Sequence, residues 1–396
     1  MFEQLPGLPA DPILGLMLAY REDNNPNKVD LGVGVYRDES GATPILKAVL
    51  NAQQQHINSE TTKSYIGPPG EPEFNHLMRE LIFGRGHSVL QSNRVSSAQT
   101  PGGCGALRVG AELINRAKPN ATIWVSDPTW ANHVPLLGDA GLKIKTYPYF
   151  DPVTSSLREQ EMMETLAKIP AGDLVLLHGC CHNPCGVDLA ESHWQNIAAL
   201  ANQQGFTPFI DMAYQGLSTG VDADALGVRL MADAVPELVV ASSCSKNFGL
   251  YRDRVGAIAV ISENDKQAEI LSSQLMNVIR GIYSMPPNHG GAIVKTILAD
   301  ETLTSEWLNE LGEMRDRING MRDAMSSRLA DRTGNERFNF IRDQRGMFSF
   351  LGIDKNQIAA LQKSAGIYIV DSSRINVAGI NSKNIDYVCD AIAEVI

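Results

Sequence analysis

One lysine invites a chemical reading before any other residue. Lys246 sits in Ser242-Ser243-Cys244-Ser245-Lys246-Asn247-Phe248-Gly249-Leu250, among hydroxyls, a thiol and a glycine, with no charged residue following it before Arg252. The apolar run Leu238-Val239-Val240-Ala241 precedes it, so the segment reads as a strand emptying into a loop. A lysine held at a strand end, away from free solvation, has its pKa lowered and becomes a nucleophile towards aldehydes. A solvated loop lysine is the plainer reading. The ends of the other strands decide between the two.

The run Arg94 to Thr100 leads into Pro101-Gly102-Gly103-Cys104-Gly105, directly before a helical pattern. Such a turn exposes backbone N–H groups and the positive end of the helix dipole, which suits a phosphate. The third glycine of a dinucleotide fingerprint is missing. Ala121 to Ser126 ends in Asp127-Pro128-Thr129-Trp130-Ala131-Asn132-His133, where Trp130 either stacks on a planar ring or packs in a core. Leu174 to His178 ends in Gly179-Cys180-Cys181-His182-Asn183-Pro184-Cys185-Gly186. Three cysteines and two histidines fall between His178 and Cys185, but no second, separated ligand pair exists, and no metal is expected. Asn183-Pro184 reads instead as a fixed turn offering an amide, with a cis bond.

Thr207 to Ile210 ends in Asp211-Met212-Ala213-Tyr214-Gln215-Gly216. Asp211 is either a helix cap or, with Tyr214, a contact to a heterocycle through its ring N–H and ring oxygen. Arg254, eight residues beyond Lys246, offers a second anchor for a phosphate. A phosphate loop, a stacking Trp, Asn, Asp, Tyr, Lys and Arg are the parts a pyridoxal phosphate site needs. The lysine forms a Schiff base and the aspartate keeps the pyridine nitrogen protonated.

The elements that position these residues are α/β in character. Strands are predicted at Arg94 to Thr100, Ala121 to Ser126, Lys143 to Tyr149, Leu174 to His178, Thr207 to Ile210, Leu238 to Ser242 and Val255 to Ile261. Helical runs such as Gly105 to Lys118 and Glu191 to Gln204 separate most of them. That alternation predicts a mostly parallel sheet with its ligands at the carboxyl ends of the strands. Residues 1 to about 45 read as an irregular arm interrupted by Pro6, Pro9, Pro12 and Pro26. Within the arm, Leu31-Gly32-Val33-Gly34-Val35-Tyr36 permits close backbone approach to a ligand, or forms a short strand or core-lining loop. A helical pattern begins near 46. A long helical stretch from about 263 leads towards 330, and residues 337–396 mix short strands and helices. No repeat, low-complexity segment or Gly/Ser linker interrupts the chain, so the domains are expected to join through helix.

Composition sets the outer bounds. The 396 residues, 43% hydrophobic and 20% charged, suit a globular protein of two domains. With 34 basic against 45 acidic residues, the formal charge of −11 disfavours a nucleic-acid partner. No apolar run approaches the length of a membrane span. The N-terminus has neither a basic region nor an apolar stretch of the secretory kind. Six cysteines then point to reduced thiols and a cytoplasmic setting.

From Leu31-Gly32-Val33-Gly34-Val35-Tyr36-Arg37 to Arg374-Ile375-Asn376-Val377-Ala378-Gly379, the chain resembles a class I, fold type I, aminotransferase of the aspartate and aromatic amino acid subgroup. The most specific matches are Ser245-Lys246-Asn247-Phe248-Gly249-Leu250-Tyr251 with Arg254, Asp211-x-Ala213-Tyr214-Gln215-Gly216, and His182-Asn183-Pro184-x-Gly186. The resemblance implies a large domain (46–310) with a mostly parallel seven-stranded sheet flanked by helices. A smaller α+β domain (311–396) would be completed by part of the arm (1–45).

It also implies roles. Lys246 would be the Schiff-base lysine and proton shuttle, and Asp211, backed by His133, would pair with the pyridinium nitrogen. Tyr214 and Asn183 would contact the ring 3′-oxygen, and Trp130 would stack on the ring. Gly103, Cys104, Ser243 and Arg254 would hold the phosphate with Tyr65 of a partner subunit. Arg374 would grip the substrate α-carboxylate in a bidentate fork. Arg280 would reach across a homodimer to a distal carboxylate. Gly34 would belong to a closing arm, and Phe348 would line the site.

Departures from the family pattern bear on the substrate. Cys104 stands where a Thr or Ser hydroxyl is usual, and a thiol is a weaker donor. Cys185 replaces the Thr of Asn-Pro-Thr-Gly. Met285 replaces an Asn or Ser, and Ser64 an Asn, which makes the site less like that of a strict dicarboxylate enzyme. Cys180-Cys181 is similar to the aromatic branch, while Arg280 implies that glutamate and 2-oxoglutarate are accepted. The expectation is ping-pong transamination of phenylalanine, tyrosine and tryptophan, with aspartate also used and 2-oxoglutarate as acceptor. The alternative is a strict aspartate aminotransferase. A decarboxylase or lyase on the same fold, a cofactor-sensing regulator with a DNA-binding extension, and a nicotinamide dehydrogenase fit the sequence less well.

Overall fold

The computed structural model describes residues 1–7 and 12–396. Seven strands form one sheet in the spatial order Val95–Pro101, Val255–Ile261, Leu238–Ser243, Thr207–Met212, Leu174–His178, Thr122–Asp127 and Lys143–Pro148. Val255–Ile261 is antiparallel to both of its neighbours, and the other pairings are parallel. Leu174–His178, Leu238–Ser243 and Val255–Ile261 are buried at every position. Helices cover both faces, so these strands read as unbroken apolar runs rather than alternating ones. Leu174–His178 and Val255–Ile261 keep the expected boundaries, and the other strands depart from theirs by a residue or two. Thr207–Met212 is the largest extension, carrying Asp211 into the strand itself.

This topology puts the chemistry-bearing segments on one edge. Pro101, Asp127, His178, Met212 and Ser243 end strands running the same way. Arg254 directly precedes the strand running the other way, so it joins the same edge. Gly102 opens the helix Gly102–Ala117 with a positive φ of 75° that its missing Cβ tolerates.

The arm departs from expectation. Pro12–Glu22 is an α-helix, and its proline stands at the first helical position, where a missing N–H costs nothing. Pro9 lies outside the described residues. Val29–Asp30 pairs in parallel with Ile367–Tyr368. Val29 and Leu31 bury into one apolar core with Met325, Leu329, Leu361, Ile375 and Ile392. A larger core on one face of the sheet takes in Trp307, Leu311, Met314 and Ile318.

The helical stretch after 263 is three helices: Asp265–Ile282, Asn288–Ala299 and Glu301–Thr333. Pro286 and Pro287 lack the N–H that would continue the first. Asp300 caps the third, accepting from the Thr302 and Leu303 N–H groups at 2.8 and 2.9 Å. This third helix, 33 residues long, passes without a break through position 310.

Candidate active site

The edge encloses a cavity of about 250 Å³. Lys246 enters it from the loop after Leu238–Ser243. That loop is fixed from behind: Trp307 Nε1 donates to the Asn247 carbonyl at 2.7 Å, and the Phe248 and Trp307 rings stack at 4.4 Å. Such stacking contributes about 1 kcal/mol beyond the area it buries. Lys246 Nζ lies 4.7 Å above the Tyr214 ring. Burial pushes its ammonium below the ordinary value, against the pull of Asp211 and Cys104 and with the push of Arg254.

Asp211 accepts from His133 Nε2 at 3.1 Å, and both are buried. A chain continues from His133 Nδ1 to Thr129 Oγ1 at 2.8 Å and on to His178 Nε2 at 3.2 Å. Burial alone would raise the Asp211 carboxyl. The His133 hydrogen bond and the charges of His133 and Lys246 outweigh it and hold the carboxyl below its ordinary value. Asp211 therefore stays anionic at neutral pH. Burial pushes His178 down to about 3, so its ring is neutral.

At the opposite wall, Arg374 is 7% exposed. Its Nη2 donates to the Gly32 carbonyl at 2.8 Å and its Nη1 to Asn183 Oδ1 at 3.3 Å, while Nε has no partner among the described residues. The guanidinium lies 4.3 Å over the Phe348 ring. A Cβ on Gly34 would stand 2.9 Å from Phe348 Cζ, so the close approach permitted by the Gly-Val run is made to Phe348 at the cavity wall. Asn376 Nδ2 holds the same run by its Val33 and Val35 carbonyls.

At the floor, Gly102, Gly103 and Cys104 form the first turn of their helix, whose leading N–H groups have no helical acceptor. A Cβ on Gly102 would meet Arg254 Nη2 at 2.5 Å, and one on Gly103 would meet Ser243 Cβ at 3.0 Å. The turn is a cradle of backbone N–H groups and one guanidinium.

Twelve of the expected site residues thus share one cavity: Gly34, Gly103, Cys104, Trp130, Asn183, Asp211, Tyr214, Ser243, Lys246, Arg254, Phe348 and Arg374. Tyr65, 91% exposed, and Arg280, on the last turn of Asp265–Ile282, stand on the surface away from it. His133 lies behind Asp211. Ile13, Leu107 and His178 also line the cavity without a role assigned from the sequence, and Tyr251, the last residue of the lysine motif, joins them. Tyr251 accepts the Tyr36 N–H at 2.9 Å, which pins the arm to the lysine loop.

The Cys/His run after His178 divides. His182 stacks on Tyr149 and reaches Ser126 Oγ, and Cys185 Sγ lies 3.1 Å from His182 Nδ1. Cys180 and Cys181 instead gather with Asp224, their ligand atoms within 4.8 Å of one another. The Asp224 oxygens already accept the N–H groups of Gly216, Ser218, Thr219 and Gly220. Burial holds the Cys181 thiol up at about 11. The Asn183-Pro184 bond is cis, as is Asp127-Pro128.

A buried lysine amine, a held carboxylate, an anion cradle and a guanidinium thus share one cavity, as the resemblance implies. Comparison with known proteins agrees. The model of aminotransferase class I and II matches residues 26–392. The chain belongs to that family.

Among its relatives, an aspartate aminotransferase of Escherichia coli K12 is 44% identical over 396 residues, the full length of both chains. An aromatic-amino-acid aminotransferase of Pseudomonas aeruginosa is 44% identical over 394 residues, covering 100% of this chain and 98% of its own. In structure, this aminotransferase is similar to an aromatic-amino-acid aminotransferase from Burkholderia pseudomallei covalently bound to pyridoxal phosphate. That likeness has a TM-score of 0.98 and 41% identity, covering 100% of this chain and 99% of the other. No helix among the described residues is long and apolar enough to cross a membrane.

Proposed function

We propose that the cavity binds pyridoxal phosphate. In this reading the enzyme transfers amino groups from aromatic L-amino acids, and from aspartate, to 2-oxoglutarate. The observation that carries the reading is that Lys246 and Asp211 share one cavity with Arg374, whose buried Nε has no hydrogen-bond partner among the described residues. The donor set fits the cofactor. Gly103, Cys104, Ser243 and Arg254 would hold its phosphate, Trp130 would lie on its ring, Asn183 and Tyr214 would face its ring oxygen, and Asp211 its ring nitrogen. Bound there, the cofactor supplies an aldehyde conjugated to an electron-accepting pyridine.

The chain's own groups do the rest. Asp211, kept anionic by His133, would hold a proton on the ring nitrogen. Arg374 would take the α-carboxylate in a bidentate pair, for which its Nε and an Nη face one way. Lys246 Nζ, its ammonium disfavoured by burial, would take the proton from the substrate Cα and hold it for return two bonds away. Aromatic donors are favoured by the apolar walls Ile13, Leu107, Trp130 and Phe348.

The same reading makes the working unit a homodimer, in which Tyr65 and Arg280 serve the partner's cavity. It assigns 46–310 to a large domain, and 311–396 with part of 1–45 to a small one. Six free cysteines, five of them buried, suit a cytoplasmic, reducing setting.

The test is the visible absorption of protein supplied with pyridoxal phosphate, before and after L-phenylalanine or L-aspartate. Conversion of the lysine-linked band by both donors supports the dual specificity. Conversion by aspartate alone assigns a strict aspartate enzyme, and absence of the band overturns the reading.

A further inference from the structure

Arg322 lies near the middle of Glu301–Thr333, is 1% exposed, and does not line the cavity. A buried cation ordinarily has a carboxylate partner. Among the described residues none stands within ion-pair distance of it. Its guanidinium spends its donors on one short stretch of chain. Nη1 donates to the Ile341 carbonyl at 3.1 Å and to Ser349 Oγ at 2.7 Å. Nη2 donates to the carbonyls of Arg345, Gly346 and Phe348 at 3.2, 2.6 and 2.6 Å, and Nε to Gly346 at 3.1 Å.

That stretch is where the walls of the cavity meet. The Arg345 backbone N–H donates to the Gly186 carbonyl at 2.8 Å, at the end of the turn bearing Asn183. A Cβ on Gly186 would fall 2.5 Å from the Phe348 carbonyl, and one on Gly346 would fall 2.3 Å from Cys181 Cβ. Phe348 pairs with Asn376 in the strand Arg374–Asn376, and its ring backs the Arg374 guanidinium. Residues 344–347 are irregular, between the short helix Phe340–Asp343 and the strand Phe348–Phe350, so these carbonyls point where no one helix or sheet ladder could satisfy them all. Only a planar fork with five donors answers so many from one position.

We propose that Arg322 is a positioning residue for carboxylate recognition. It fixes the carbonyls of 341–349, so that Phe348 seats Arg374 against Asn183 with the guanidinium edge open to substrate. The inference rests on the reading of Arg374 as the α-carboxylate anchor.

The test compares Arg322→Lys and Ser349→Ala with the wild type, all loaded with pyridoxal phosphate. The readouts are cofactor retention, binding of 3-phenylpropionate, and KM and kcat for L-phenylalanine and L-aspartate. Lysine keeps the charge and loses the fork. Arg322→Lys should retain cofactor and kcat within about twofold, while KM for both donors and the 3-phenylpropionate dissociation constant rise about tenfold. Ser349→Ala removes one acceptor and should move the same constants two- to threefold, roughly; it carries the test if Arg322→Lys does not fold. Unchanged carboxylate affinity in a folded variant overturns the proposal. So does a loss of cofactor in step with kcat, which would mark a purely structural role. A cofactor-loaded wild type that neither turns over an amino acid nor binds 3-phenylpropionate overturns the aminotransferase reading first, and this inference with it.

Discussion

Arg374 Nη1 meets Asn183 Oδ1 at 3.3 Å across 191 residues of sequence, and that contact joins the two halves of the cavity. One partner stands on a short strand near the C-terminus, the other on the turn after the strand Leu174–His178. Groups proposed for the substrate and for the cofactor therefore touch before either ligand arrives.

The lysine is the first prediction. Lys246→Ala should still bind pyridoxal phosphate through the cradle but lack the lysine-linked absorption band. Turnover should fall by about 10²–10⁴ or more, the contribution of a positioned proton-transfer group. Absorption spectra and steady-state rates on one preparation check both parts.

A second prediction concerns space. Because a Cβ on Gly34 would already crowd Phe348 at 2.9 Å, Gly34→Val must displace the ring that backs Arg374. kcat/KM should fall about 10²-fold, as for a misplacement of about 1 Å, with the cofactor spectrum intact. A rate within twofold of wild type, roughly, would mean that the arm yields freely.

The third prediction links Asp211 to pH. With His133 present, its folded pKa lies below the ordinary 3.8, so the carboxylate stabilises the fold above that pH and loses its contribution as pH falls through the folded value. In His133→Phe the hydrogen bond and charge of His133 are gone, so burial lifts the folded pKa relative to wild type and the carboxylate's contribution above pH 3.8 shrinks. Thermal midpoints of the cofactor-free proteins should differ most between pH 5 and 7, roughly, and converge below about pH 3.8. A gap independent of pH would deny the His133–Asp211 coupling.

Subunit exchange supplies the fourth. If Arg280 serves the partner's cavity, a Lys246→Ala chain and an Arg280→Ala chain are each deficient towards aspartate. Hybrid dimers should restore one complete site, giving about a quarter of wild-type activity in an equal mixture after subunit exchange. Aspartate turnover no greater than the sum of the parents would remove Arg280 from a shared site.

The strand ends are legible in the sequence because buried parallel strands are continuous apolar runs. The carboxyl ends of the parallel runs fall on one edge by topology, which is how Asp211 and Lys246 declare themselves, and Arg254 joins them at the start of the antiparallel strand. The helix Pro12–Glu22 does not, since prolines and Gly15 read locally as breakers, and only the position of Pro12 at the helix start reverses that. His178 is hidden inside an apparent Cys/His cluster, although ending a strand places it at the edge. Ile13 lines the cavity through long-range packing that local pattern does not encode. Arg322 is equally silent, one arginine among many on a helix whose charged residues surround it on every side in sequence.

The long helix Glu301–Thr333 has a thermodynamic consequence. Trp307, Leu311, Met314 and Ile318 are buried in one core, while Met325 and Leu329 are buried in the other. Its 33 residues form a rod of roughly 50 Å that neither core can release without fraying the other. Melting of the two lobes is thereby coupled, and calorimetry should record one endotherm where two independently folded units would give a pair.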